Sequence, residues 1–252
     1  MIPKILHQIW MQGSSKVPEK YRQAQESWKI LHPDWTFCVW DEEACSKVAK
    51  GTHWEAVLEK CTLMIQKADV YRCVLLEVFG GVYADMDMIA LKNLESLMTT
   101  DRIHLGKCEG SIRSAFLSVN NGIIFCPARL EIWKEVAQEI LEAIEHPRLS
   151  DCLKIFYVLR TAGPLMWKRV VDKFPWHFTL HDKEYFYSLQ IAKKLSFLTD
   201  EDKKLLINSY AYHMQSSDWV DGWERILMLV VMNKFFVLFV VTLILLYVYS
   251  RK

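Results

Sequence analysis

Two carboxylates stand two residues apart at Asp85 and Asp87, directly after an apolar run and the pair Gly80-Gly81. Carboxylate oxygens so spaced offer ligands to a hard divalent cation such as Mg2+ or Mn2+. Such a cation usually completes its shell with water and substrate phosphates, which makes a nucleotide diphosphate the natural client. The pattern alone has low specificity, because Asp-x-Asp also occurs in solvated loops and strand-end turns.

The flanking residues say more. Val70, Cys73, Val74 and Val78 recur at helical spacing and predict a helix that runs into a glycine stop. Gly80 and Gly81 suit a turn at positive φ, and Val82, Tyr83 and Ala84 lead as a short strand into the aspartates. Asp69 and Arg72 fall one turn apart on the helix. They form either a solvated i,i+3 ion pair or a pair facing the bound nucleotide.

Other elements must position this centre. Residues 2–10 read as a buried strand ending at Trp10, whose ring either stacks on a base or packs in the core. Tyr83 either adds a hydroxyl contact to a diphosphate or packs inward as a strand residue. Asn120-Asn121-Gly122 reads as a polar turn feeding a buried strand. Leu130 to Ile144 has helical periodicity with a stop at Pro147, and Gly163-Pro164 starts a helix through Trp167 and Val170 or shapes one side of the site.

The chain of 252 residues fits one α/β domain with an appendage, without internal repeats. A net charge of +1, from 31 basic and 30 acidic residues, with no basic stripe, excludes a nucleic-acid partner from the expectations. Seven cysteines without C-x-x-C pairs indicate neither a structural zinc site nor a disulfide framework, and most are expected to be buried thiols.

The C-terminus changes character. Residues 226–249 are almost wholly apolar, interrupted by Asn233-Lys234, and predict a single-pass membrane anchor over residues 224–252 behind a catalytic domain of residues 1–223. Such a tail would place the chain at an endomembrane or host-membrane surface. Arg251-Lys252 and Arg225 with Lys234 pull the topology in opposite directions, which leaves the side of the catalytic domain open. The alternative is a buried C-terminal helix. The first ten residues do not read as a targeting segment.

Ala68, Asp69, Arg72, Gly80-Gly81, Tyr83 and Asp85-x-Asp87 together resemble the signature of glycosyltransferase family 32, the D-x-D sugar transferases. The segment Ile2 to Trp10, then Trp28, Pro33, Trp35 and Trp40-Asp41, is similar to the opening of these domains. Related features return at residues 161–164 and 213–219, so the resemblance spans roughly residues 2 to 219.

The resemblance implies a GT-A-type nucleotide-diphospho-sugar fold with a Rossmann-like, mainly parallel sheet. It implies a retaining, metal-dependent transfer using Mn2+ or Mg2+. Asp87 would be a direct ligand and Asp85 a ligand through water or a contact to donor ribose and sugar, with His213 as a further metal or phosphate contact. Trp10, Asp69, Arg72, Tyr83, Ser217 and Trp219 would line the donor site, and Asn121 would lie near the sugar. The donor would be GDP-mannose or a UDP-hexose, and a mannosyl transfer to a lipid or glycan acceptor at a membrane is the leading expectation. No residue identifies a covalent nucleophile, so front-face and double-displacement routes both stay open. A metal-dependent hydrolase of nucleotide sugars and a catalytically silent membrane adaptor are the competing classes.

Overall fold

A computed structural model describes residues 1–108, 119–189, 195–214, 216 and 222–223. Apolar residues at every second position of the strands build a central sheet, and helices cover both of its faces. Its strands are β1 (Ile5–Ile9), β2 (Thr36–Trp40), β3 (Gly81–Ala84), β5 (Ile103–Lys107), β6 (Val119–Cys126) and β7 (Phe178–His181), in the order β2-β1-β3-β6-β5-β7. A separate ribbon pairs β4 (Met88–Ala90) with β8 (Ala211–His213). The helices are α1 (Arg22–Leu31), α2 (Glu42–Ala49), α3 (Trp54–Lys60), α4 (Met64–Phe79), α5 (Ile132–Glu145), α6 (Lys154–Thr161), α7 (Pro164–Lys173), α8 (Lys183–Phe186) and α9 (Asp200–Leu206).

Alternation along the strands sorts the core. Val82, Ala84, Ile123 and Phe125 point to one face with Trp28 and Phe186. Tyr83, Ile124 and Cys126 point to the other, where α4 and the tryptophans Trp54, Trp133 and Trp167 pack. Helix α4 is buried almost all round, from Gln66 to Leu76, as befits a helix held between the sheet and other helices.

Three sequence expectations need correction. The sheet departs from a Rossmann-like one in being mixed: β1 pairs in parallel with β2 and β3, and β5 with β7, but β6 runs antiparallel to both β3 and β5. Parallel pairing needs a crossover connection, which α1 supplies between β1 and β2, α2 to α4 between β2 and β3, and α5 to α7 ahead of β7. Asn120-Asn121-Gly122 is no turn, because it lies inside β6. Finally, among the described residues no helix is long and apolar enough to cross a membrane. Neither the transmembrane helix expected in the fold nor the membrane-anchored location drawn from it finds support among the described residues. Residues 224–252, to which the expectation was attached, lie outside the described residues. The 16-residue α4, with Asp69 and Arg72 inside it, is too short and too polar for a span.

The predicted α4–glycine–strand sequence is present as expected. Gly80 and Gly81 adopt φ of 65° and 95°, and a Cβ on either would come within 2.6 Å of backbone, from Ala128 and Ile5 respectively. A non-glycine residue would be both strained and obstructed here. Gly163-Pro164 starts α7 with proline in its first turn. All seven cysteines are free thiols, four of them buried.

His7 locks this turn to β1. Trp40 Nε1–H donates to His7 Nδ1 at 3.1 Å, so the other nitrogen carries the proton and donates to the Gly80 carbonyl at 2.9 Å. Burial pushes the imidazole down to about 4, against the opposing pull of the Gly80 carbonyl. The unfolded chain takes up this proton near pH 6.5 and the folded chain only near pH 4, so the contribution is intact above pH 6.5 and lost as pH falls through that window. His7→Gln is therefore expected to flatten the pH dependence of urea unfolding between pH 6 and 4.5 by about 1.4 kcal/mol per pH unit. Parallel slopes for the two proteins would show that His7 is not held neutral.

Candidate functional site

The ends of β3 and β6 bring the acidic centre together. Ala84 pairs with Ile123, and the chain then leaves β3 with the Asp85 N–H bonded to the Gly122 carbonyl at 2.8 Å. Asp87 is followed at once by β4, which α1 clamps: Trp28 Nε1 donates to the Met88 carbonyl at 2.8 Å and the Ala90 N–H to Ser27 Oγ at 2.9 Å. The β4–β8 ribbon sets His213 opposite Met88. Residues more than a hundred positions apart thus meet. His213 Nε2 lies 3.1 Å from Asp87 Oδ1 and 3.8 Å from Asp85 Oδ2.

Beneath Asp85 lies Arg72. Its guanidinium contacts Asp69 Oδ1 at 2.7 Å, Asp85 Oδ1 at 3.3 Å and the Asn121 carbonyl at 2.6 Å. It also sits 4.4 Å from the centre of the Tyr83 ring, whose hydroxyl donates to Asp85 Oδ1 at 2.8 Å. Asn121 Nδ2 closes the loop by donating to Asp69 Oδ1 at 3.0 Å. Asp69 and Arg72 are 6% and 4% exposed, so the pair is not the solvated one that helix spacing alone allowed.

The electrostatics follow from burial and count. Burial pushes Asp69 up to about 6 against the pull of Arg72, with the like charge of Asp85 adding to the rise. Burial likewise raises Asp85, opposed by Arg72 and His213 and reinforced by Asp87. At Asp87 burial acts upward too, but the His213 charge and the hydrogen bonds from His213 and Ser216 prevail and hold the carboxyl well below its usual range. His213 is pushed down by burial yet raised overall by Asp87. Three carboxylates thus share one guanidinium and one imidazole.

Among the described residues, Asp85, Asp87 and His213 form a group whose ligand atoms all lie within 4.8 Å of one another. Two carboxylates and an imidazole suit a divalent cation such as Mn2+. The space they face is kept open by Gly122, where a Cβ would come within 3.0 Å of Asp85 Oδ2 and 3.2 Å of His213 Cε1. His213 Nδ1 is buried without a hydrogen-bond partner. Donor set and cradle therefore fit a bound cation.

Trp10 directly follows β1 and is half-buried, tilted against Tyr21 at 5.6 Å between ring centroids. Ser217 and Trp219 lie outside the described residues. Their neighbour Ser216 donates its backbone N–H to Asp87 Oδ2 at 2.7 Å. Gln8, Tyr21, Ser216 and Tyr187 also reach this region, although the sequence assigned none of them a role individually. Gln8 Nε2 donates to the Asp85 carbonyl at 3.5 Å; its signal was a polar residue inside an apolar strand. Tyr187 meets His213 edge to face at 5.8 Å and fills the space left by Gly106, where a Cβ would come within 2.5 Å of its ring. Nothing in the local sequence marks Tyr187.

With this geometry in hand, residues 18–104 match the family described as a glycosyltransferase sugar-binding region containing a DXD motif. Over these residues the chain is similar to the sugar-binding region of DXD glycosyltransferases. It is similar to a glycosyltransferase of Acanthamoeba polyphaga mimivirus, 31% identical over 127 residues that make up 49% of each chain. It is also similar to inositol phosphoceramide mannosyltransferase 3 of Schizosaccharomyces pombe, 34% identical over 99 residues, 38% of this chain and 27% of that one. The chain spans half or less of the length of these relatives. Among solved structures the fold resembles the PaToxG glycosyltransferase, with a TM-score of 0.52 at 18% identity over 83% of this chain and 84% of the other. That likeness supports the GT-A-like glycosyltransferase fold with its mixed sheet.

The DXD centre depends on the absence of a side chain at position 122. Because Gly122 lacks a positive φ, Gly122→Ala should fold normally, yet its methyl intrudes between Asp85 and His213. Calorimetric Mn2+ affinity is expected to fall roughly tenfold or more, as when the surroundings of metal ligands are disturbed, with little change in thermal midpoint. Unchanged Mn2+ affinity would separate Gly122 from the cation site.

Proposed function

We propose that residues 1–223 form a catalytic unit that transfers a hexose from a nucleotide-diphosphate sugar to a hydroxyl acceptor, with a divalent cation, Mn2+ or Mg2+, held by Asp85, Asp87 and His213. The observation that carries this reading is the convergence of two carboxylates and an imidazole over the Gly122 cradle. The surplus of carboxylates over cationic groups around them makes the site favourable for added positive charge.

In this reading the donor lies along the strand ends in sheet order. The base stacks on the half-buried Trp10 at the end of β1, the diphosphate lies at Asp85 and Asp87 after β3, and the sugar lies toward Asn121 on β6. Adjacent strands are about 4.8 Å apart, so the order is that of base, diphosphate and hexose laid end to end. When bound, the cation supplies Lewis-acid charge to the leaving diphosphate. Arg72, Asp69 and Tyr83 fix the Asp85 carboxylate and leave its Oδ2 turned to the cradle. Ser217 and Trp219 remain assigned to the donor site through the family resemblance.

The chemistry breaks the bond between the anomeric carbon and the diphosphate oxygen, which keeps the electron pair. The acceptor hydroxyl oxygen forms the new bond to that carbon, and its proton passes to the departing diphosphate, directly or through solvent. Retention of the anomeric configuration is part of the proposal, as is mannose as the sugar and a glycolipid as the acceptor. The last two are supported by the names of the Schizosaccharomyces pombe relatives, which are inositol phosphoceramide mannosyltransferases.

Asp87→Asn removes a charge while keeping the side-chain volume. It is expected to abolish Mn2+-dependent binding of nucleotide diphosphate and to leave the fold intact. Calorimetry with UDP and with GDP, each with Mn2+ and with chelator, measures this and identifies the base. Equal metal-dependent binding by wild type and Asp87→Asn would overturn the role given to Asp87.

A further inference from the structure

Tyr21 stands outside the constellation to which the D-x-D pattern points, yet it touches two of its parts from different sides. It closes a short 3-10 turn, Glu19–Tyr21, ahead of α1 and is 3% exposed. Its ring is tilted against that of Trp10, at 5.6 Å between centroids. Its hydroxyl hydrogen-bonds to Ser216 Oγ at 2.9 Å, across 195 positions of sequence. Ser216 in turn donates its backbone N–H to Asp87 Oδ2, and the neighbouring Met214 N–H bonds the Asp87 carbonyl at 3.0 Å.

We infer that Tyr21 is a positioning residue that couples nucleobase binding at Trp10 to cation binding at Asp87 through Ser216. The inference rests on the donor-site reading above and adds a residue and a linkage to it. A base stacked on Trp10 restrains that indole, and the indole bears on the Tyr21 ring. A fixed Tyr21 hydroxyl holds the Ser216 side chain, and Ser216 sets the direction in which Asp87 Oδ2 faces. The linkage runs equally in reverse, since coupling between two ligands is reciprocal. The half-buried Trp10 is the exposed end of this chain of contacts and the 7%-exposed Asp87 its inner end.

A packing role for Tyr21 alone would reside in its ring, whereas the coupling resides in its hydroxyl. Tyr21→Phe keeps the ring, and Ser216→Ala keeps the backbone N–H that reaches Asp87, so each removes one side of the same hydrogen bond. The full chain, both variants and the double variant are titrated with UDP and with GDP, each with Mn2+ and with chelator. Both single variants should bind the preferred nucleotide in Mn2+ roughly two- to tenfold more weakly, the size of one lost hydrogen bond. The double variant should lose less than the product of the two single losses, because the two atoms share one hydrogen bond. Affinity in chelator and thermal midpoints should match those of wild type.

Unchanged affinity in Tyr21→Phe, multiplied losses in the double variant, or an equal loss with chelator would each overturn the coupling. Wild-type protein that binds neither nucleotide with Mn2+ would overturn the donor-site reading and the coupling with it.

Discussion

The Arg72 guanidinium, buried among carboxylates, is the interaction on which the rest of the site depends. It comes from α4, grips Asp69 on the same helix, Asp85 at the end of β3 and the Asn121 carbonyl on β6. One side chain thus ties together the three elements that define the acidic centre. A charge this deeply buried is tolerated only when it is paired, and removing one partner leaves the other uncompensated. The geometry therefore protects itself: Arg72 holds Asp85 and Asp69 in place, and they make its burial possible.

The second constraint is topological. The sheet delivers the aspartates, but the imidazole arrives on a separate ribbon that pairs the three residues after Asp87 with residues 211–213. Trp28 and Ser27 of α1 hold the β4 side of that ribbon to the body of the protein. His32 extends the clamp by accepting the Leu94 N–H at 2.9 Å. The donor set for a cation is completed only when β8 docks, which makes the distance between Asp87 and His213 a property of tertiary packing and not of the motif.

Local signals were legible and distant ones were not. Helix α4, its glycine stop and the strand into Asp85 could be read because spacing and glycine chemistry act over a few residues. The antiparallel placement of β6 was not legible, since Asn121-Gly122 carries a strong turn signal that the pairing with β3 and β5 overrides. Hydropathy over residues 226–249 reads only apolar content, and no helix among the described residues bears out a span. His213, Asn121 and Trp10 were named through a family resemblance. Tyr21 and Tyr187 had no such guide, because their positions follow from pairings across the fold.

The two aspartates of the motif are not equivalent, although the sequence writes them alike. Asp85 has one oxygen committed to Arg72 and Tyr83, and the other turned toward Gly122 and His213. Asp87 has both oxygens engaged, one by His213 and one by the Ser216 N–H. Burial raises the first carboxyl, whereas the bonds to the second outweigh burial and hold it ionised. Asp85 is thus fixed by the body of the protein, and Asp87 by the segment around β8. Any ligand that draws on both carboxylates must be met by the two parts at once.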